Sequence, residues 1–275
     1  RPPSSALSVP SRPARTNLQA LRNAARQETR AIAVERARHP FDDIETAPLD
    51  YLPKAWSEPD GALQDTVYEA YDLQSIRIDG AAEHPTALVQ SAAMASVPPP
   101  VPSYRPVLPK PLVADGFLSA PQLDSVIYAG NAHETHLKGW FKRGEIEGQL
   151  MAAAEGDNGA FRLRKGWFLG DGTGCGKGRQ VAGIILDNWL QGRRRAIWVS
   201  KSDKLIEDAR RDWTALGGRE SDIVPLSKFR QGGDIRLPEG ILFVTYATLR
   251  SAEREGKASR LDQVTSWLGE GFDGV

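Results

Sequence analysis

The sequence has a single cysteine, which excludes a fold stapled by internal disulfides and fits a reducing, intracellular setting. Long apolar runs are missing too. None approaches the roughly 18 residues that a membrane-spanning helix needs, and no signal-peptide pattern opens the chain. Excess charge of one sign is also absent, with 35 basic and 35 acidic residues among 275. What is present is ordinary bulk. Hydrophobic residues at 40% and charged residues at 25% suit a soluble globular protein large enough for a sizeable core.

The balanced total hides a segregation. Residues 1–38 carry eight arginines against two glutamates, and residues 40–100 carry eleven acids against two bases. A basic arm can touch nucleic acid or an acidic partner, and it can equally be a solvated helix face. Residues 1–16, proline-rich among serines and arginines, read as disordered or extended. Residues 17–38 have helical composition, with Leu18, Leu21 and Ala25 at helical spacing. Together with the acidic stretch they form an N-terminal region, 17–97, holding short elements near Tyr51-Leu52 and Val67–Tyr71. Seven prolines between Pro98 and Pro111 then make a semi-rigid connector and the main expected boundary.

From residue 112 onward, strands and helices alternate. Ser119 is the expected N-cap of a helix running to Ala129, with Pro121 in its first turn. Lys165–Leu169, Ala196–Val199, Ile223–Leu226 and Ile241–Thr245 read as strands. Gln180–Leu190, Asp203–Leu216 and Leu261–Leu268 read as helices, the first with Val181, Ile184, Ile185 and Trp189 on one side. The alternation implies an α/β fold with a parallel sheet covered on both faces. Residues 137–165 look like an insertion, a hairpin or a lid.

Between the first of these strands and the next helix lies Gly170-Asp-Gly-Thr-Gly-Cys-Gly-Lys-Gly-Arg179. Glycines at 172, 174, 176 and 178 allow positive φ and bring backbone amides close to an anion. The following helix adds about half a positive charge at its N-terminus. Lys177 can then neutralise phosphate as a point charge. Gly172, Thr173, Gly174, Cys175, Gly176, Lys177, Gly178 and Arg179 are therefore the candidate nucleotide-binding residues. Two positions depart from the usual G-x-x-x-x-G-K-[ST] loop. Asp171 stands in place of the first glycine, and Gly178 in place of the hydroxyl residue that ordinarily ligates Mg²⁺.

The spacing D-x-x-G-x-G-K is similar to motif I of superfamily-two helicases and chromatin-remodelling ATPases, where the first position need not be glycine. The longer run GWFLGDGTGCGKGRQVAGIILDNWLQGRRRAIWVS resembles the Strawberry notch family, whose loop reads G-D-G-x-G-x-G-K-G-R. Leu88–Pro99 and Leu118–Tyr128 upstream, with Trp198–Asp203 and Phe243–Leu249 downstream, extend the resemblance over roughly residues 80–275. It implies a helicase-like ATPase using ATP and Mg²⁺, with residues 112–275 as most of a first RecA-like lobe. Gly178 then reads as a family trait. Lys177 becomes the catalytic candidate, and Gln122 matches the glutamine that reads the adenine edge. Ser200 and Ser202 stand at the position of motif Ia, and Thr245 at the next strand-end motif, where helicases contact the nucleic-acid backbone. Capping and turn formation explain these hydroxyls as well. The implied partner is nucleic acid, DNA ahead of RNA, with protein partners also open and no membrane.

The resemblance also implies an Asp-Glu pair on a later strand, and none occurs between Thr245 and Val275. The chain opens on Arg1 and stops at Phe272–Val275 as a strand begins, so we expect a piece of a longer protein whose continuation supplies the pair. This piece alone should bind nucleotide weakly or not at all, and should not turn over ATP. A nucleotide-gated interaction module or transcriptional co-regulator is the alternative. Arginine and alanine richness suggests a bacterial, cytoplasmic protein; a eukaryotic one would be nuclear. His133 and His136 beside Glu134 lack the further ligands of a metal site, so none is expected.

Overall fold

A computed structural model describes residues 38–57, 67–146, 148–250 and 258–275. The chain forms two compact units, 1–43 and 44–275. Of the smaller, the described part is a single 3-10 turn, Pro40–Asp42, capped by His39. The expected helix over 17–38 lies outside the described residues.

The larger unit opens with antiparallel ribbons. Strand β1 (Thr46–Pro48) pairs with β6 (Val107–Pro109), β2 (Leu52–Pro53) with β4 (Ile76–Arg77), and β3 (Tyr68–Ala70) with β5 (Val89–Ser91). A single helical turn α1 (Ala92–Ala95) follows β5, and α2 (Lys110–Ala114) follows β6. The proline-rich run 98–111 lies inside this unit and is tied down at both ends. The Tyr51 hydroxyl donates to the carbonyls of Pro102 and Tyr104 at 3.0 Å each. The Asp187 carboxylate accepts from the Tyr104 hydroxyl and, at 2.7 Å, from the Val107 amide.

Helix α3 (Ala120–His133) begins at Ser119 as expected, with Pro121 in its first turn. Gly130 on its inner side admits the Tyr104 ring, because a Cβ there would collide with it. Residues 137–165 contain a hairpin, β7 (Trp140–Arg143) with β8 (Leu150–Ala153). Lys165–Leu169 belongs to no strand, contrary to expectation; Trp167 is 39% exposed and Phe168 87%. A strand is held by its neighbours' hydrogen bonds, and among the described residues this segment has no partner strand. Trp167 instead stacks on Tyr128 of α3, 5.9 Å between centroids.

Helix α4 (Lys177–Leu190) starts three residues earlier than its apolar pattern suggested. Its buried stripe is Ala182, Ile185, Leu186 and Trp189, while Val181 and Ile184 are only half-buried. Then β9 (Arg195–Ser200), α5 (Ile206–Thr214), β10 (Ile223–Pro225) and β11 (Gly240–Thr245) build a parallel sheet in the order β10-β11-β9. The expected helix over 203–216 is a 3-10 turn, Asp203–Leu205, followed by α5. All six residues of the central strand β11 are buried. Its Leu242 and Val244 pack with Val264 and Trp267 of α7 (Arg260–Leu268), while a short turn α6 (Tyr246–Leu249) leaves its C-terminal end. Burying each such aliphatic side chain contributes about 1.5–3 kcal/mol. Helices α4 and α5 meet through Trp189 and Trp213, 5.6 Å apart. This is a mixed α/β architecture with a partial parallel sheet.

Candidate nucleotide site

The loop 170–176 leads directly into α4. Gly174 at φ +94° and Gly176 at φ +73° take the left-handed conformation that side chains resist, and Gly176 is the N-cap of the helix. The first amides of α4 therefore face the loop without a side-chain cap, which is the arrangement that receives an anion.

Lys177 is folded onto this loop. Its ammonium donates to the carbonyls of Asp171 and Gly172 at 2.8 and 2.7 Å. Asp171 is no defect of the motif. Its Oδ2 accepts from Gln180 Nε2 at 2.7 Å, and the same amide reaches the Cys175 carbonyl at 3.2 Å. Gln180 is buried, so the loop is clamped from one turn inside the helix. Thr173 is exposed at the tip, and Cys175 is a half-buried free thiol. Arg179 turns aside and donates to the Phe117 carbonyl at 3.0 Å.

Gln122 stands against this loop. It is buried, and its Oε1 accepts from the Ser119 amide at 3.0 Å, closing the start of α3. Its Nε2 lies so near Gly176 that a Cβ there would strike it. Thus one carboxamide caps α3 and sets the backbone of the phosphate loop. Ser119 Oγ, by contrast, has no partner among the described residues.

Gly178, where the hydroxyl residue ordinarily stands, faces α5. A Cβ at that position would collide with Oδ2 of Asp212. Nothing local in the sequence announces this pairing across 34 residues of chain. The glycine after the lysine was the one available signal.

A second carboxylate lies behind the loop. Asp124 of α3 accepts from the Tyr71 hydroxyl at 3.0 Å. Burial, with a smaller contribution from the Asp171 carboxylate, pushes its pKa up to about 7, and the Tyr71 hydrogen bond opposes the shift. Both aspartates border a cleft of about 500 Å³ walled by Tyr71, Tyr128, Trp167 and Leu169. Sequence reasoning missed Asp124, an unremarkable aspartate inside an amphipathic helix.

At the C-terminal edge of the sheet, Ser200 and Thr245 are register partners and both are buried. Thr245 Oγ1 caps α6, accepting the Thr248 amide at 3.2 Å. Ser202 Oγ likewise accepts the Lys204 amide at 3.3 Å, starting the turn before α5. The structure brings Ser200 and Thr245 together and engages Ser202 and Thr245 in caps. Among the described residues no group of three or more His, Cys, Asp or Glu could hold a metal ion, and no helix is long and apolar enough to cross a membrane.

Residues 83–275 match the family described as P-loop containing NTP hydrolase pore-1. Similar proteins include human Protein strawberry notch homolog 1, 34% identical over 74% of this chain and 14% of the relative. Drosophila melanogaster Protein strawberry notch is 36% identical over 70% of this chain and 11% of its own length. Arabidopsis thaliana Protein FORGETTER 1 is 34% identical over 70% and 13%. The chain thus spans only about an eighth of the length of these curated relatives. No solved structure matches. With the glycine turns, the clamped loop and Lys177 at the head of α4, the match is unambiguous: the chain belongs to the P-loop containing NTP hydrolase pore-1 family and is a strawberry notch homologue.

Proposed function

We propose that this chain is the nucleotide-binding part of a superfamily-two helicase-like, nucleic-acid-dependent ATPase, built on a RecA-like parallel sheet. The observation that carries the reading is the loop itself. Left-handed Gly174 and Gly176 open the backbone, Gln180 clamps it through Asp171, and Lys177 heads α4 with uncapped amides beside it.

ATP with Mg²⁺ fits this donor set. Positive φ at the glycines and the free helix end suit a polyphosphate, and Lys177 can exchange its two carbonyl partners for phosphate oxygens. Bound Mg²⁺ supplies charge neutralisation on the phosphate oxygens. The protein's own part is to hold and orient the phosphates through Lys177 and the loop amides. Gln122, whose Nε2 lies against Gly176, is the side chain that would read the adenine edge and couple it to the loop.

Nucleic acid, DNA ahead of RNA, would run along the sheet edge at Ser200, Ser202 and Thr245. The side-by-side placement of Ser200 and Thr245 supports this. The caps made by Ser202 and Thr245 favour the second reading, a nucleotide-gated interaction module with little motor activity. Nucleic-acid-stimulated ATP hydrolysis by the full-length protein separates the two. Stimulation that Lys177→Ala abolishes is the expected result, with a loss of at least about a hundredfold in turnover. ATP binding without stimulation by any DNA or RNA would select the interaction module.

A further inference from the structure

Gly178 leaves a chemical question. In the common loop the residue after the lysine carries a hydroxyl that ligates the divalent cation. Here the space that its side chain would take is filled. Asp212, arriving from α5, places Oδ2 where a Cβ of residue 178 would stand, with its Cγ and Cβ at 3.1 and 3.7 Å behind. Gly178 is the second residue of α4, so this carboxylate lies against the first turn of the phosphate-loop helix.

Among the described residues, Asp212 sits largely out of solvent beside a single exposed cation. Its side chain is only 13% exposed, and its recorded ion-pair partner is the adjacent Arg211 at 3.5 Å. That guanidinium is 66% exposed and makes a closer pair with Asp208 at 2.8 Å. A carboxylate at a helix N-terminus is favourable by itself. Beside a bound triphosphate it would repel the phosphates, because like charges a few ångströms apart in a partly dry site cost several kcal/mol. A divalent cation between them turns this repulsion into coordination. Mg²⁺ is ordinarily held by one or two carboxylates together with phosphate oxygens.

We propose that Asp212 is a protein ligand of the nucleotide's Mg²⁺, replacing the hydroxyl that Gly178 lacks. The inference rests on reading the loop as an ATP site. It makes Gly178 and Asp212 a matched pair: a serine at 178 would displace the carboxylate, and loss of the carboxylate would leave the glycine with nothing to offer the metal.

The test is equilibrium binding of a fluorescent ATP analogue to the full-length protein, in Mg²⁺ and in EDTA, with folding checked by circular dichroism. The readout is the ratio of the two affinities. Asp212→Asn keeps the shape and removes the charge, and should lower the Mg²⁺-dependent gain by about 10–100-fold, as loss of metal-site groups does. Gly178→Ser combined with Asp212→Ala restores a hydroxyl in the vacated space and should recover most of that gain. Mn²⁺ bound in the presence of the nucleotide, followed by electron paramagnetic resonance, should weaken in Asp212→Asn and return in the double variant. An Asp212→Asn protein with unchanged metal dependence overturns the proposal while leaving the ATP site standing. If Asp212→Asn does not fold, a double variant that folds but lacks the gain overturns it. Failure of the unchanged protein to bind the analogue in either buffer overturns the ATP reading instead.

Discussion

The segment Lys165–Leu169 and the strand β11 have much the same makeup, short apolar runs flanked by glycine, and end in opposite states. Ile241 and Phe243 are sealed between β9 and β10. Phe168 stands almost wholly in the open. Strand propensity describes how well a side chain suits a pleated, half-buried surface, and the surface has to be supplied by other strands. β11 has a parallel neighbour on each side. The segment before the phosphate loop has only the face of α3, against which Trp167 stacks.

Truncating Phe243 and Phe168 should separate the two segments most widely. Phe243→Ala should destabilise the chain by about 3–5 kcal/mol in urea unfolding, the usual cost of emptying a buried aromatic site.

An intermediate effect is expected behind the loop, at Asp124. Its carboxyl titrates near 7 in the folded chain and near the ordinary aspartate value when unfolded. Between about pH 4 and about pH 7 the folded state therefore holds a proton that the unfolded state has released, so stability falls as pH rises through that window. Asp124→Asn removes this dependence. Urea midpoints of the two proteins should diverge with rising pH, the unchanged protein losing stability relative to the variant. Parallel curves would show that the carboxyl is not held protonated.

A smaller effect tests the sheet edge. Thr245→Ala removes the cap of α6 and should cost about 1 kcal/mol of thermal or urea stability, within the range for N-cap losses. A change near zero would mean that the hydroxyl is available for another partner. Smallest of all, Phe168→Ala should shift stability by no more than about 0.5 kcal/mol, as for exposed positions. A loss like that of Phe243→Ala would place the segment in a buried strand after all.

Much of this architecture was legible. The strands at 196–199 and 241–245 and the helix at 261–268 follow from apolar runs and caps that agree with their tertiary partners, and the helix expected over 203–216 holds over Ile206–Thr214. So does the start of α3, because Ser119, Pro121 and Gln122 are local signals. The phosphate loop was legible as a glycine turn running into a helix, with Lys177 at the helix start. The Lys165–Leu169 strand misled because pairing is a property of neighbours. The helix face of α4 was displaced by one residue, because α3 and α5 decide together which side is covered. Asp171 could be excused by spacing alone, but its clamp on Gln180 needed coordinates. Asp212 was invisible for the same reason, lying on another helix with only a glycine to mark its place.

The two carbonyls that hold Lys177 have a consequence for ligand choice. An incoming anion does not meet a free ammonium; two of the ammonium's three N–H donors are already seated on the carbonyls of Asp171 and Gly172, and one is left over. A di- or triphosphate is long enough to reach that donor and the helix amides at the same time. Seated in this way, the lysine offers a fixed donor at the head of α4, and a ligand that also reaches the helix amides gains most from it.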